Sequence, residues 1–337
     1  MTRNETLVSA LRQRLPLLED LRRRARSVAW RRAAGCLVLG VLFLAALAGT
    51  AVGSLWVLGN FVTKNLWIVV PSMLAMVVAV VVLFVGAFKA AARWGEDIER
   101  QYVTTFRSQV VLPTLGEGLP GCTPSADGLI DIAAFDASAL FSPHHDHRLF
   151  ESHYGISGQA GGAPFRGSMV RARKHVHSRE GRQHQPDVTF FKGIFFHVCH
   201  PVDVPGTVRL VDDHFYLGAD RPEWGIVRRE HTVQVQSGVE AFDRGSLAVV
   251  DKDQEAVPPL PEAAFHAWPE IRALIDRPVF ASFNATGLYL SVAISSGDRF
   301  PLEERLNTAN RAEELADDIE LIQRVVRALD MLRRALA

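Results

Sequence analysis

Hydrophobic residues are spread along this chain in two different ways. From Ala33 to about Val62, and again from about Leu66 to Phe88, they run on without a single charge. Elsewhere they recur at intervals of two, three or four. A helix needs about 20 apolar residues to cross a bilayer, so each uncharged run is long enough. Between them, Thr63-Lys64-Asn65 leaves room only to turn the chain back. The pattern predicts a transmembrane hairpin with helices over 33–62 and 66–88. A charge at mid-membrane costs about 3 kcal/mol on insertion scales, which accounts for the gap in charge. Two buried helices of a soluble core would be shorter and would keep a polar face. A signal peptide fits no better, because the first run starts late and exceeds an h-region. Gly35, Gly40, Gly49, Gly53 and Gly59 stud the first run. Small residues let helices approach closely in lipid, either within the hairpin or in a homo-oligomer.

The flanks carry helical spacing. Leu7, Leu11, Leu15, Leu18 and Leu21 predict an amphipathic helix over the Arg-rich residues 1–32, with Pro16 as a point of kinking. Trp94, Ile98, Tyr102, Phe106 and Val110, four apart, predict that the second span continues as a cytoplasmic helix over 89–115, ended by Pro113 and the glycines after it. From about Ile130 to Phe300 the pattern changes to strands: Met169–Val176, Val188–Val198, Thr207–Val211, Ile226–Val235 and Leu247–Val250. Glu262–Ile275 reads as a helix restarted at Pro269. Val279–Phe283 and Leu288–Ile294 read as a hairpin with the four-residue loop Asn284-Ala-Thr-Gly287. The chain closes with a long helix within 302–337, capped by Asn310 with Glu313. Leu315, Ile319, Ile322, Val326, Leu329 and Leu332 form its coiled-coil-like seam. Strands joined by hairpins predict an α+β fold: an antiparallel-sheet domain over 125–301, after a helical hairpin and before a long C-terminal helix.

Charge adds orientation. Residues 1–32 carry nine arginines against three acids, Lys89 and Arg93 follow the second run, and the turn holds only Lys64. Positive flanks stay on the cytoplasmic side, so both termini and the sheet domain are expected in the cytoplasm of a multi-pass inner-membrane protein. Three cysteines without a framework agree with a reducing compartment. The whole chain has 37 basic and 37 acidic residues, and a neutral body gives nucleic acid no basic surface to bind. The partners implied are the bilayer, anionic headgroups beside the Arg-rich segment, and a second copy or another membrane protein.

Candidate chemistry is sparse. His144, His145 and His147, with His153 nearby, form the densest group of metal-capable side chains, set in a loop by Pro143. His197 and Cys199 share a strand face at a spacing of two. With His200, His175 and His177 they make a second metal candidate, provided two strands pair in one register. Adjacent loop ligands cannot all face one ion, and strand-end residues on a half-buried face explain the second group, so no cofactor is implied. The glycines from Gly155 to Gly162 lack the order of a phosphate loop, a dinucleotide fold or a hydrolase elbow, and read as a flexible turn. Arg171, Arg173, Lys174 and Arg179 read as a solvated strand face or as a contact for phosphate or a membrane surface.

Several stretches in order resemble a known family. Phe191-Lys192-Gly193-Ile194-Phe195-Phe196 is similar to an F-K-G-L-F-F strand. Val249–Ala256, with Asp253 and Glu255, is similar to V-Y-S-x-D-Q-x-E-A. Ser282-Phe283, Gly287-Leu288-Tyr289-Leu290 and Asp298-Arg299-Phe300-Pro301 are similar to a closing hairpin and D-L-F-x-P end. Together they resemble the bacterial membrane proteins grouped as domain of unknown function 3137. The resemblance implies an N-terminal transmembrane hairpin and a cytoplasmic domain, and no catalytic residues. Val257-Pro258-Pro259-Leu260-Pro261 departs from the family's hydrophobic strand at that place. Two functions are therefore expected in turn: a membrane-anchored scaffold, sensor or assembly module without catalysis, or a metal-dependent membrane enzyme using the His-rich segments.

Overall fold

The computed structural model describes residues 3–61, 66–93, 96–141, 149–174, 187–199, 206–212, 232–252, 260–295, 299, 301–302 and 311–337. They fall into two compact units. One comprises the described residues of Arg14–Phe106, and the other those of Met1–Gln13, Arg107–Glu303 and Asn310–Ala337.

The first unit is helical. Its α1 (Arg3–Phe61) is one helix of 59 residues that starts in the other unit. The Arg-rich segment and the first apolar run are thus a single element. Pro16 lies inside it and does not end it, at the loss of one backbone hydrogen bond. The buried positions of the first half are Leu7, Leu11, Leu18, Arg22 and Ala25, one stripe at threes, fours and their sums. Arg22 sits on that stripe because Glu19 meets it with two hydrogen bonds, at 2.8 and 2.6 Å. Hydrogen bonding to Arg22 holds the Glu19 carboxyl down to about 2. Next come α2 (Leu66–Arg93) and α3 (Glu96–Phe106). Phe43 touches Phe84 with ring centroids 4.9 Å apart. A Cβ on Gly40 would lie 3.9 Å from the Phe88 ring, and Arg32 pairs with Glu99 at 3.0 Å. The partner number falls as the α1 number rises, so the helices run antiparallel. By length and composition, one helix of the described residues, within α1, is long and apolar enough to cross a membrane. A shorter apolar stretch, Val77–Ala90, lies in α2.

The second unit is α+β. A π-helical turn (Arg107–Val111) leads into α4 (Leu112–Gly118). Pro113 falls at the start of α4, just after the π-helical turn, and the helical run continues past it to Gly118. Nine strands follow: β1 (Thr123–Asp127), β2 (Phe150–Ala160), β3 (Ala163–Lys174), β4 (Val188–Val198), β5 (Val208–Asp212), β6 (Thr232–Val235), β7 (Ser246–Asp251), β8 (Val279–Asn284) and β9 (Gly287–Ala293). They form one antiparallel sheet in the order β1-β2-β3-β4-β9-β8-β5-β7-β6. Short helices α5 (Ile132–Ala137) and α6 (Glu240–Asp243) and the longer α7 (Glu262–Ile275) and α8 (Ala312–Ala335) complete the unit.

The aromatic run Val188–Val198 takes the middle of the sheet as β4, buried on both faces. Phe191 and Phe195 join Phe135, Phe141, Phe280 and Tyr289 in one core. By alternation, Ile194, Phe196 and Val198 point the other way, and Phe196 meets Phe165. Gly193 leaves room for a neighbouring strand: a Cβ there would stand 2.0 Å from the Val292 carbonyl oxygen. The first face is roofed by residues 129–141, held on by polar bonds. Ser168 accepts from the Leu129 and Ile130 amides, Ser282 donates to Ser138 O, Asn284 to Ala137 O, and Arg209 to Ala139 O. Arg209 is buried and forks onto Asp251 at 2.9 and 3.1 Å.

The C-terminal helix α8 lies against α7, α4, β2 and β9. Leu315, Ile319, Ile322, Leu329 and Leu332 are buried there, so the seam serves the chain's own unit. Its N-cap is Arg311, without a side-chain cap; Asn310 lies outside the described residues, and Glu313 instead accepts from Arg12 at 2.6 Å. Three further expectations need correction. Pro269 sits inside a continuous α7 rather than restarting it. The β8–β9 loop has two residues, Ala285 and Thr286, because Asn284 pairs with Gly287. Gly155 and Gly158 belong to β2, and the turn is Gly161-Gly162 alone, both at positive φ.

Candidate functional site

Two features of the described residues invite a function. The first is a surface. Leu37, Val41, Leu42, Leu44 and Val52 of α1 are exposed, as are Leu74, Val78, Val82, Leu83 and Val85 of α2. Leu37 is 70% exposed and Leu83 73%, values foreign to the packed interior of a soluble domain. Immediately before this surface on α1 stand exposed Trp30 and the arginines Arg23, Arg24 and Arg26.

The second is a cluster where β4 ends beside the β8–β9 turn. His197 pairs with Tyr289 in register, and their rings stack at 4.4 Å and 8°. Strand alternation brings Cys199 to the same face, with Sγ 3.6 Å from His197 Nδ1. On the other side of the ring, Nε2 lies 3.3 Å from Thr286 O. A carbonyl only accepts, so Nε2 carries the proton and Nδ1 faces the thiol bare. The turn is pinned in its turn. Thr286 Oγ1 and N both donate to Asn284 Oδ1, and Tyr289 Oη donates to Thr286 Oγ1 at 2.7 Å. Burial pushes the His197 imidazole below its ordinary 6.5, with the Arg166 charge acting the same way and the Thr286 bond and Asp131 opposing. Burial pushes the Tyr289 phenol up, which keeps it a donor.

The remaining expected site residues fall elsewhere. His144, His145, His147, His200, His175, His177, Asp253, Glu255 and Phe300 lie outside the described residues. His153 sits on β2 opposite Asp127 and Met169, remote in register from His197. Among the described residues no group of three His, Cys, Asp or Glu side chains could hold a metal ion. Phe191, Gly193, Phe195, Phe196, Ser282 and Phe283 are buried in the sheet, and Lys192 is half-buried with its carbonyl accepting from Ile294 N. Arg171 and Arg173 turn to Glu151 across β2 and β3, so neither is a free cation of a phosphate site. Tyr289 and Thr286 enter the His197 cluster only through the β4–β9 register. No family model, curated protein or solved structure matches this chain.

Proposed function

We propose that the chain is a multi-pass membrane protein whose second half of α1 and whose α2 form the predicted bilayer hairpin. The observation that carries this reading is the pairing of Phe43 with Phe84 between two helices whose other faces leave leucine and valine exposed. Such surfaces suit lipid, where apolar side chains outside cost nothing. Trp30 beside the arginines suits an interfacial anchor, and the arginines suit anionic headgroups on the cytoplasmic side. In this reading both termini and the sheet unit are cytoplasmic. The resemblance to domain of unknown function 3137 belongs to the same proposal and rests on the quoted motifs.

The biochemical role is that of a scaffold, sensor or assembly module. Its support is a large sheet whose polar residues largely serve to fasten its own roof. Purification of the full chain from membranes in mild detergent, followed by mass measurement of the intact complex, tests it. A stoichiometric partner or a homo-oligomer is expected. Monomer alone overturns the scaffold reading and leaves the membrane reading standing.

A further inference from the structure

The anchoring role makes no use of the His197 cluster, although its geometry is that of a nucleophile with its base. Cys199 is exposed. Its backbone is fixed, since its amide donates to Pro164 O at 3.1 Å. Its thiol faces an imidazole nitrogen whose lone pair is free, because the other nitrogen is committed to Thr286 O. The ring is held in place by Tyr289 stacked on it and by Thr286 O at Nε2, and the chain passes so close at residue 287 that only a glycine leaves room for Nε2. Arg166 is the strand partner of His197, a positive charge that disfavours an imidazolium. Among the described residues, Asp131 and Tyr289 are the other titratable groups that act on the ring.

We propose that Cys199 and His197 form a thiol–imidazole pair that exchanges with small anionic disulfides. His197 Nδ1 takes the thiol proton. Cys199 Sγ bonds to one sulfur of the incoming disulfide, whose own S–S bond breaks. The second sulfur leaves as a thiolate and takes the proton from Nδ1. Cys199 is oxidised to a mixed disulfide and the incoming disulfide is reduced to a thiol and the captured half. Arg166 selects for negative charge on that half.

The other two cysteines serve as internal references. Cys36 lies in α1, and Cys122 is part-buried with its thiol pushed up by burial. The test uses the full chain in detergent and an anionic aromatic disulfide whose released thiolate is coloured. One fast thiol is expected, and Cys199→Ser removes it. Its rate should level off from below pH 6.5 upward, since the base there is already neutral. In His197→Asn the rate at pH 7 should fall about a hundredfold, the low end for loss of a general base, and climb steadily with pH like a free thiol. Arg166→Gln should slow the anionic probe more than a neutral disulfide. A rate for Cys199 unchanged in His197→Asn, or a fast phase surviving Cys199→Ser, overturns the proposal. If His197→Asn does not fold, native and urea-unfolded wild type are compared at pH 7: faster reaction of Cys199 in the native chain supports the pair, and equal or slower reaction overturns it.

Discussion

The two units use apolar residues in opposite senses. In the apolar stretches of α1 and α2, leucines and valines such as Leu37, Val41, Leu74 and Leu83 point outward, while Phe43 meets Phe84 and Gly40 lies near Phe88. In the sheet unit, phenylalanines point inward and polar side chains hold the outer layer down, as Ser282, Asn284 and Arg209 do for residues 137–139. Hydrophobicity as such does not decide which way a side chain faces. On the reading proposed above, what lies outside the element decides it: water forces the sheet's aromatics inward, and a bilayer would leave α2 free to show Leu83. The comparison therefore predicts that the same kind of damage is read by different assays in the two units.

The largest effect is expected in the sheet. Phe195→Ala removes a ring that contacts Phe135, Phe191 and Tyr289 and should cost about 3–5 kcal/mol. A lowered midpoint of heat denaturation checks this, and membrane retention on alkaline extraction should not change. Leu83→Arg should do the reverse. It places a charge on the exposed face of α2 at about 3 kcal/mol on insertion scales, releasing protein on alkaline extraction while leaving the near-ultraviolet dichroism of the sheet unit intact. A Leu83→Arg variant that unfolds the sheet unit would break the comparison.

Asn284→Ala comes next. It frees the part-buried Ala137 carbonyl and Thr286 amide together, which should cost about 1–3 kcal/mol. Hydrogen exchange should rise at residues 129–141 before it rises in β4. The smallest effects are those of pH. His197 is held below 6.5 and Glu19 at about 2 against an ordinary 4.5. A group depressed on folding stabilises above its unfolded value and loses that contribution as pH falls through its folded one. Stability of the sheet unit should therefore begin to fall just below pH 6.5, an effect absent in His197→Asn. The Glu19–Arg22 contribution should fade between about pH 4.5 and 2 and stay below about 1 kcal/mol, given its partial exposure.

Which parts of this were legible in the amino acids follows from the same contrast. Val188–Val198 declares itself a strand because aromatic and β-branched residues crowd it, and the apolar runs of α1 and α2 declare themselves by lacking charge. Phe150–Ala160 does not, because FESHYGISGQA has neither period nor bulk. Its glycines look like a turn. In the fold Gly155 yields to Leu129 and Asp127, at 2.4 and 2.6 Å from where a Cβ would be, and Gly158 to Phe165 and Cys122. Glycine in a strand marks such close approach, and only the neighbouring strand reveals it. Pro113 and Pro269 mislead for a related reason: Pro113 falls at the start of α4 and Pro269 inside a continuous α7, and neither setting can be told from single-residue preference. The spacing of His197 and Cys199 gives their common face. The tautomer, and with it the chemistry, depends on Thr286 and Tyr289, which arrive through pairing of distant strands.

The measurement that tests the central claim most directly is the sidedness of the chain. Reporters active only in the cytoplasm, fused after Ala337 and separately inserted at Lys64, should be active at Ala337 and silent at Lys64. Equal activity at both positions would contradict a bilayer hairpin, and activity at Lys64 alone would place the sheet unit on the opposite side of the membrane.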